Sequence, residues 1–150
     1  MTHSLDGKIL LGIDFGTRVI GLATYAVGRD PFPLMHGKIV VKSEDQVLRE
    51  LAQIVSDETI DLIVLGLPLF TDGTESTMTQ TVKAFATKLQ VHCSETPIML
   101  QDETLTTFEA EERMKQSPKF QFKVDPKQID ALSACLIIED FLKREGFISS

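Results

Sequence analysis

Cysteine is scarce in this chain: Cys93 and Cys135 are the only two, and neither falls in a Cys-x2-Cys or Cys/His spacing. That leaves no thiolate metal framework, and both read as ordinary reduced thiols of the core or surface. Long apolar runs are missing too. None approaches the roughly 18 residues a membrane helix needs, and the opening "MTHSLDGK" has no apolar signal region. The expectation is a cytoplasmic protein with no membrane partner. No repeat, low-complexity tract or linker rich in Pro, Gly or Ser interrupts the chain, so residues 1–150 are expected to form one domain. Positive charge is also in short supply. Fifteen Lys and Arg face 22 Asp and Glu, a formal charge of −7. That argues against a tight non-specific nucleic-acid binder, whose affinity comes largely from phosphate neutralisation. It does not exclude a nuclease, because bound metal ions can supply positive charge locally.

What is present is ordinary for a globular chain: 43% hydrophobic and 25% charged residues over a length that supports a core without staples. Lys8–Asp14 and Val19–Tyr25 read as strands joined by the tight "FGT", an antiparallel hairpin. "GRDPFP" breaks the pattern before a third strand near Lys38–Val41. A helix from about Asp45 to Glu58 opens on a capping box of Ser43 and Gln46 and carries a stripe of Val47, Leu48, Leu51, Ile54 and Val55. "DLIVLG" is a short continuous apolar strand of the kind covered on both faces. A helix follows at about Met78–Val91, then the strand "PIMLQ", then the helix "TTFEAEERMKQ" with a second capping box, Thr106 and Glu109. The final helix is expected to start with Asp125 as N-cap, Pro126 in the first position and Gln128 in the third, and to stop at Gly146. The order βββαβαβαα predicts an α/β sandwich with a mixed five-stranded sheet and helices on both faces.

One position is out of character. Asp14 ends an apolar strand, and a carboxylate there loses hydration unless donors, a cation or water compensate. Alternation puts Leu10, Gly12 and Asp14 on one face, and Ile9, Leu11 and Ile13 on the other. The strand "IMLQDE" runs into Asp102 and Glu103, between which spacing alone cannot choose. In the last helix Asp130 shares a stripe with Ala134, Ile137 and Phe141 at spacings of four, three and four. Three acids far apart in sequence thus occupy inward positions near element ends. Such a set suits metal-assisted phosphodiester hydrolysis, in which two Mg²⁺ or Mn²⁺ ions roughly 3.5–4 Å apart stabilise attacking and leaving oxygens. These hard cations prefer carboxylate oxygens. Each acid also has a plainer role: a turn former at Asp14, solvated loop acids at Asp102 and Glu103, a helix-dipole partner at Asp130.

The motifs themselves carry a resemblance. "GIDFGTRVIGLA" resembles the opening motif of the YqgF/RuvX family, Holliday-junction-resolvase-like proteins of the RNase H superfamily. "VLGLPLFTDGTES" is similar to its glycine-proline loop, "DETLTTFEAE" to its Asp-Glu motif, and "DPKQIDALSACLIIEDFL" to its C-terminal helix, together covering about Lys8 to Leu142. The resemblance implies an RNase H-like fold and a metal-dependent endonuclease. Its implied substrate is the 5′ end of pre-16S ribosomal RNA, with branched DNA as the rival. It also implies Asp14, Glu103 and Asp130 as catalytic metal ligands, favouring Glu103 over Asp102. A junction resolvase would work as a homodimer, whereas an RNA trimmer could be a monomer.

The chain departs from that pattern at two basic positions. Family members usually carry Lys-Arg after "GT", where this chain has Arg18-Val19, and Arg in the Asp-Glu motif, where it has Thr104. Thr17, Arg18, Thr74 and Lys127 are the candidates for substrate contact, with Lys119 and Lys123 beside them as further phosphate contacts or plain solubilising charges. Ser76 and Thr77 lie at a helix N-terminus, where anions bind readily, or serve as turn and cap residues. Phe70 is expected in the core, with base stacking as its role if the loop exposes it. Two other functions stay open. "IDFGT" also resembles the phosphate loop of actin-like sugar kinases and chaperones, which need two such domains. The missing basic residues would suit a non-catalytic scaffold in ribosome assembly or transcription.

Overall fold

Strand alternation and helical stripes sort the apolar residues into two clusters, one on each face of a single sheet. The computed structural model describes residues 4–103 and 106–147, with Thr106 and Thr107 described by their backbone alone. The strands are β1 (Ile9–Asp14), β2 (Val19–Ala26), β3 (Leu34–Val40), β4 (Leu62–Leu67) and β5 (Ile98–Asp102). The helices are α1 (Glu44–Asp57), α2 (Thr77–His92), α3 (Thr106–Lys115) and α4 (Ile129–Arg144). The sheet order is β3-β2-β1-β4-β5. β1 pairs antiparallel with β2, and β2 with β3, while β4 runs parallel to β1 and β5 parallel to β4. This is the expected mixed five-stranded sheet with helices on both faces.

The two faces divide as the pattern in β1 requires. Leu10 joins Val64, Ala134, Ile137 and Phe141 under α4, with Ala110 and Met114 of α3 in the same cluster. Leu11 and Ile13 join Val47, Leu51, Val82 and Phe85 under α1 and α2. The capping box at Ser43 and Gln46 forms as expected, its donors and acceptors reciprocally paired. Ser76 and Thr79 make a second one at the start of α2. The capping box expected at Thr106 and Glu109 falls partly outside the described residues. Cys93 and Cys135 are both buried free thiols.

Two boundaries differ from expectation. β3 begins at Leu34 rather than near Lys38, because a register shift between Gly21 and Ala23 lets Leu34 and Met35 pair with Thr24 and Ala23. Gly37, at φ +87°, interrupts the alternation that would have revealed this pairing. The last helix begins at Ile129, not at Pro126. Asp125 spends its carboxylate on a tight turn, accepting from the Lys127 amide and the Gln128 side chain. Gln128 therefore occupies the N-cap position without a side-chain cap. At the other end Gly146, at φ +74°, closes the helix as expected.

Candidate active site

Asp14 ends the middle strand of the sheet, and a glycine on each flanking strand makes room around it. On one side, Asp14 pairs in register with Gly21 of β2. A Cβ at Gly21 would lie 1.9 Å from the carbonyl oxygen of Asp130, so only glycine lets the first turn of α4 settle on β2. That approach brings Asp130 beside Asp14. On the other side is Gly66 of β4, where a Cβ would come within 2.7 Å of the Glu103 carboxyl carbon and 2.5 Å of Ile137 Cδ1. The Glu103 carboxyl therefore lies over Gly66. Gly12 serves the same packing further along α4, where a Cβ would be 2.8 Å from the Ala134 carbonyl oxygen.

The choice between Asp102 and Glu103 follows from one hydrogen bond. The Glu103 amide donates to the Leu67 carbonyl at 3.1 Å, so the β4–β5 ladder continues one residue past the strand. Alternation then sends Gln101 and Glu103 to the α4 face, and Leu100 and Asp102 to the other. Leu100 packs with the α1–α2 cluster, and Asp102 is exposed.

Burial and mutual repulsion shape the site's protonation. Asp14, Glu103 and Asp130 are each partly buried. Desolvation pushes Asp14 up to about 6; a hydrogen bond from Glu103 opposes this, and the charge of Asp130 adds to it. Desolvation first, then the charge of Asp14 and the hydrogen bond to it, push Glu103 up to about 10. Both shifts run upward and Glu103 moves further, which makes it the partner that holds a proton more tightly and donates to the Asp14 carboxylate. Asp14 and Glu103 are in contact, and Asp130 is within electrostatic range of Asp14. Among the described residues, no three His, Cys, Asp or Glu side chains form a ready-made cage for a metal ion. As donors the three acids nonetheless suit a hard divalent cation: all offer carboxylate oxygen, and two are already in contact in a desolvated setting.

The other candidate residues scatter. Thr17 and Arg18 are exposed in the β1–β2 turn, where the Arg18 carbonyl accepts from the Val41 amide. Thr74 bonds to Asp72 through both its amide and its hydroxyl, and Ser76 caps α2, so both are engaged in turn and cap chemistry. Lys127 is exposed beside the turn closed by Asp125. Phe70 is not in the core: it is 57% exposed, because the loop folds back through its amide onto the Thr74 carbonyl and presents the ring outward. Thr104 lies outside the described residues. The sequence marks Lys38 only as the start of the third strand, not as a neighbour of the acids. It pairs with Gly21, which pairs with Asp14, so the three form one row across the sheet. Only strand pairing reveals that relation.

The RuvX family model, described as Holliday junction resolvase, matches residues 8–144. The chain belongs to the RuvX family. A relative from Glaesserella parasuis, named "Putative pre-16S rRNA nuclease", is 36% identical over 141 residues, covering 93% of this chain and 99% of that protein. A Shewanella oneidensis protein of the same name is also 36% identical, over 93% of this chain and 96% of its own. Among solved structures, Thermus thermophilus RuvC in complex with a Holliday junction substrate superposes with a TM-score of 0.59 at 14% identity, covering 93% of this chain and 97% of that one. At that identity it speaks for the fold, which is RNase H-like. Membership in RuvX places this chain among nuclease hydrolases, and no helix among the described residues is long and apolar enough to cross a membrane.

Gly66 offers a test of the site in which the added methyl also presses on Ile137 of the core. Gly66→Ala meets the movable ends of Glu103 and Ile137 rather than backbone. The expected result is a folded protein destabilised through overpacking by about 1–3 kcal/mol, and cleavage at least about tenfold slower, since a small misplacement of a reacting group is costly. Unimpaired cleavage would show that the position of the Glu103 carboxyl does not matter.

Proposed function

We propose that this RuvX protein is a divalent-metal-dependent endonuclease that trims the 5′ end of precursor 16S ribosomal RNA. The observation that carries the reading is the approach of Glu103 and Asp130 to Asp14 on one face at the rim of the sheet, with Glu103 in hydrogen-bond contact with Asp14. Asp14, Glu103 and Asp130 would hold Mg²⁺ or Mn²⁺, two ions in the fullest arrangement. Such ions activate water and stabilise charge on the phosphodiester oxygens.

The chain's own contributions follow from its geometry. Glu103 would have to release its proton for both it and Asp14 to offer carboxylate oxygens to a cation. Gly21 and Gly66 hold the flanking strands clear, so that α4 and the end of β5 deliver their acids to the same rim. Lys38, exposed in the row through Gly21 to Asp14, places positive charge on the β3 side of the site. The names of the two relatives favour the RNA substrate; a four-way DNA junction is the second reading, supported by the family description and by the resolvase fold neighbours. We further propose a cytoplasmic protein, monomeric if it trims RNA and a homodimer if it resolves a two-fold junction.

The test is cleavage of a precursor 16S 5′ fragment and of a four-way junction in Mn²⁺, alongside solution mass. Endonucleolytic cuts in the RNA by a monomer are expected. Cuts confined to the junction by a dimer would move the assignment to the second reading, and inertness toward both would favour the scaffold.

A further inference from the structure

The segment between α3 and α4 is built at a conformational cost that the acid site does not explain. It runs through a 3-10 turn, Pro118–Phe120, and then places two successive non-glycine residues in the left-handed region: Gln121 at φ 56° and Phe122 at φ 60°. A bulky residue is rarely found there. The turn is nonetheless well tied down. The Phe122 amide donates to the Ser117 carbonyl at 3.0 Å, and the Lys123 amide to the Phe120 carbonyl at 3.1 Å. Ser117 caps the turn through its hydroxyl, and Phe120 and Val124 pack on the α4-side core. Between these anchors Phe122 stands 61% exposed. The turn thus uses a strained backbone to hold an apolar ring in water, which fits a ring kept for a partner.

Its surroundings are basic in a chain of net charge −7. Lys119, Lys123 and Lys127 are all exposed, and the one acid between them, Asp125, is bonded to Lys127 and Gln128. Lys38 reaches the same place from β3, since its charge and that of Lys127 help hold the Asp125 carboxyl below the usual range, after the hydrogen bonds from Gln128 and the Lys127 amide. An open groove of about 420 Å³ runs along Lys119, Lys123, Val124, Asp125 and Gln128. The shelf ends at the catalytic rim. Lys127 is three residues before Asp130, and Lys38 is two strands from Asp14 in one row, about 10 Å at ordinary strand spacing.

We propose that this shelf binds an unpaired stretch of nucleic acid next to the scissile phosphate, with Phe122 stacking on a base and Lys38, Lys119, Lys123 and Lys127 holding the adjacent phosphates. The assignment rests on the nuclease reading and names the form of substrate it takes. Stacking on a protruding ring requires a base free of its duplex neighbours, and lysines at a stacking platform neutralise the backbone without reading sequence.

The test measures binding by fluorescence anisotropy in an Asp14→Asn background, so the result does not depend on whether the acids catalyse. The probes are labelled single strands of about 12 nucleotides, one RNA and one DNA, and a blunt duplex of the same sequence. Phe122→Ala is expected to weaken single-strand binding by about tenfold, to leave the duplex within about twofold, and to keep the salt slope; Phe122→Tyr retains affinity. Lys119→Gln with Lys123→Gln should flatten the log–log salt dependence by about 1.4, at roughly 0.7 per phosphate contact on a single strand. Phe122→Gly separates binding from folding. Glycine adopts φ near +60° freely, so its Tm should hold or rise while affinity falls. A larger loss on RNA or on DNA identifies which strand is bound, and either supports the shelf. Single-strand affinity unchanged in Phe122→Ala, an equal loss on the duplex, or a Phe122→Gly protein that melts lower and binds normally would each overturn it.

Discussion

Asp14→Asn is expected to reduce cleavage by at least about a hundredfold in Mg²⁺ or Mn²⁺ while the protein stays folded. A hundredfold corresponds to about 2.7 kcal/mol of lost transition-state stabilisation. The effect should be large because Asp14 is the acid the other two converge on: Glu103 hydrogen-bonds to it, and the charge of Asp130 acts on it. The substitution keeps size and leaves an acceptor for the Glu103 proton, so the contact survives while the metal-binding charge goes. Without metal, Asp14→Asn should melt no lower than the parent, since it removes a desolvated carboxylate. Millimolar Mn²⁺ should raise the parent's Tm, by about 2.7 kcal/mol of stability at a hundredfold excess over Kd, and barely move the variant. Equal cleavage by the two proteins would trace the activity to a contaminant, and an equal Mn²⁺ shift would place the ion elsewhere.

Glu103→Gln should separate stability from function in a pH-dependent way. Folding raises the Glu103 pKa from 4.5 to about 10 and that of Asp14 from 3.8 to about 6. The folded state therefore binds more protons than the unfolded chain across that range, so metal-free stability is greatest at low pH and falls as pH rises. The Asp14 contribution is lost between about pH 4 and 6, and that of Glu103 continues to be lost up to about pH 10. Gln does not titrate, and its amide can still donate to Asp14. At pH 8 without metal, Glu103→Gln is expected to be more stable than the parent by about 1–3 kcal/mol, or roughly 2–4 °C in Tm per kcal/mol for a chain of this size. Its stability should lack most of the decline above pH 6, and cleavage should be lost. In the parent, metal binding must expel the Glu103 proton, so affinity should rise by up to tenfold per pH unit between about pH 6 and 10. Thermal melts across pH 5 to 9 and Mn²⁺ titrations in buffers of different ionisation enthalpy measure both effects. A parent whose metal-free stability is flat across that range would remove the shared proton.

Most of the architecture was legible because it rests on local periodicity. The alternation Leu10, Gly12, Asp14 predicted which face of β1 receives α4, and the spacing Asp130, Ala134, Ile137, Phe141 predicted the stripe that packs there. The misses came where turn chemistry or a neighbouring strand overrode the expected signal. Asp125 and Pro126 make a convincing helix start on paper, but the Asp125 carboxylate closes a turn instead. Leu34 entered β3 through a register shift in its neighbour β2. Phe70 looked like core by composition, yet its loop turns it outward.

From its residues alone this protein determined its fold class and the three acids worth watching, since apolar periods of two and 3.6 residues and an out-of-place carboxylate are properties of short stretches. Only the folded sheet decided that Glu103 rather than Asp102 turns toward Asp14, that Gly21 and Gly66 clear the space for the acids to meet, and that Lys38 stands in one row with Asp14. Those relations depend on register and close approach between segments far apart in the chain, and no local pattern encodes a distance across strands.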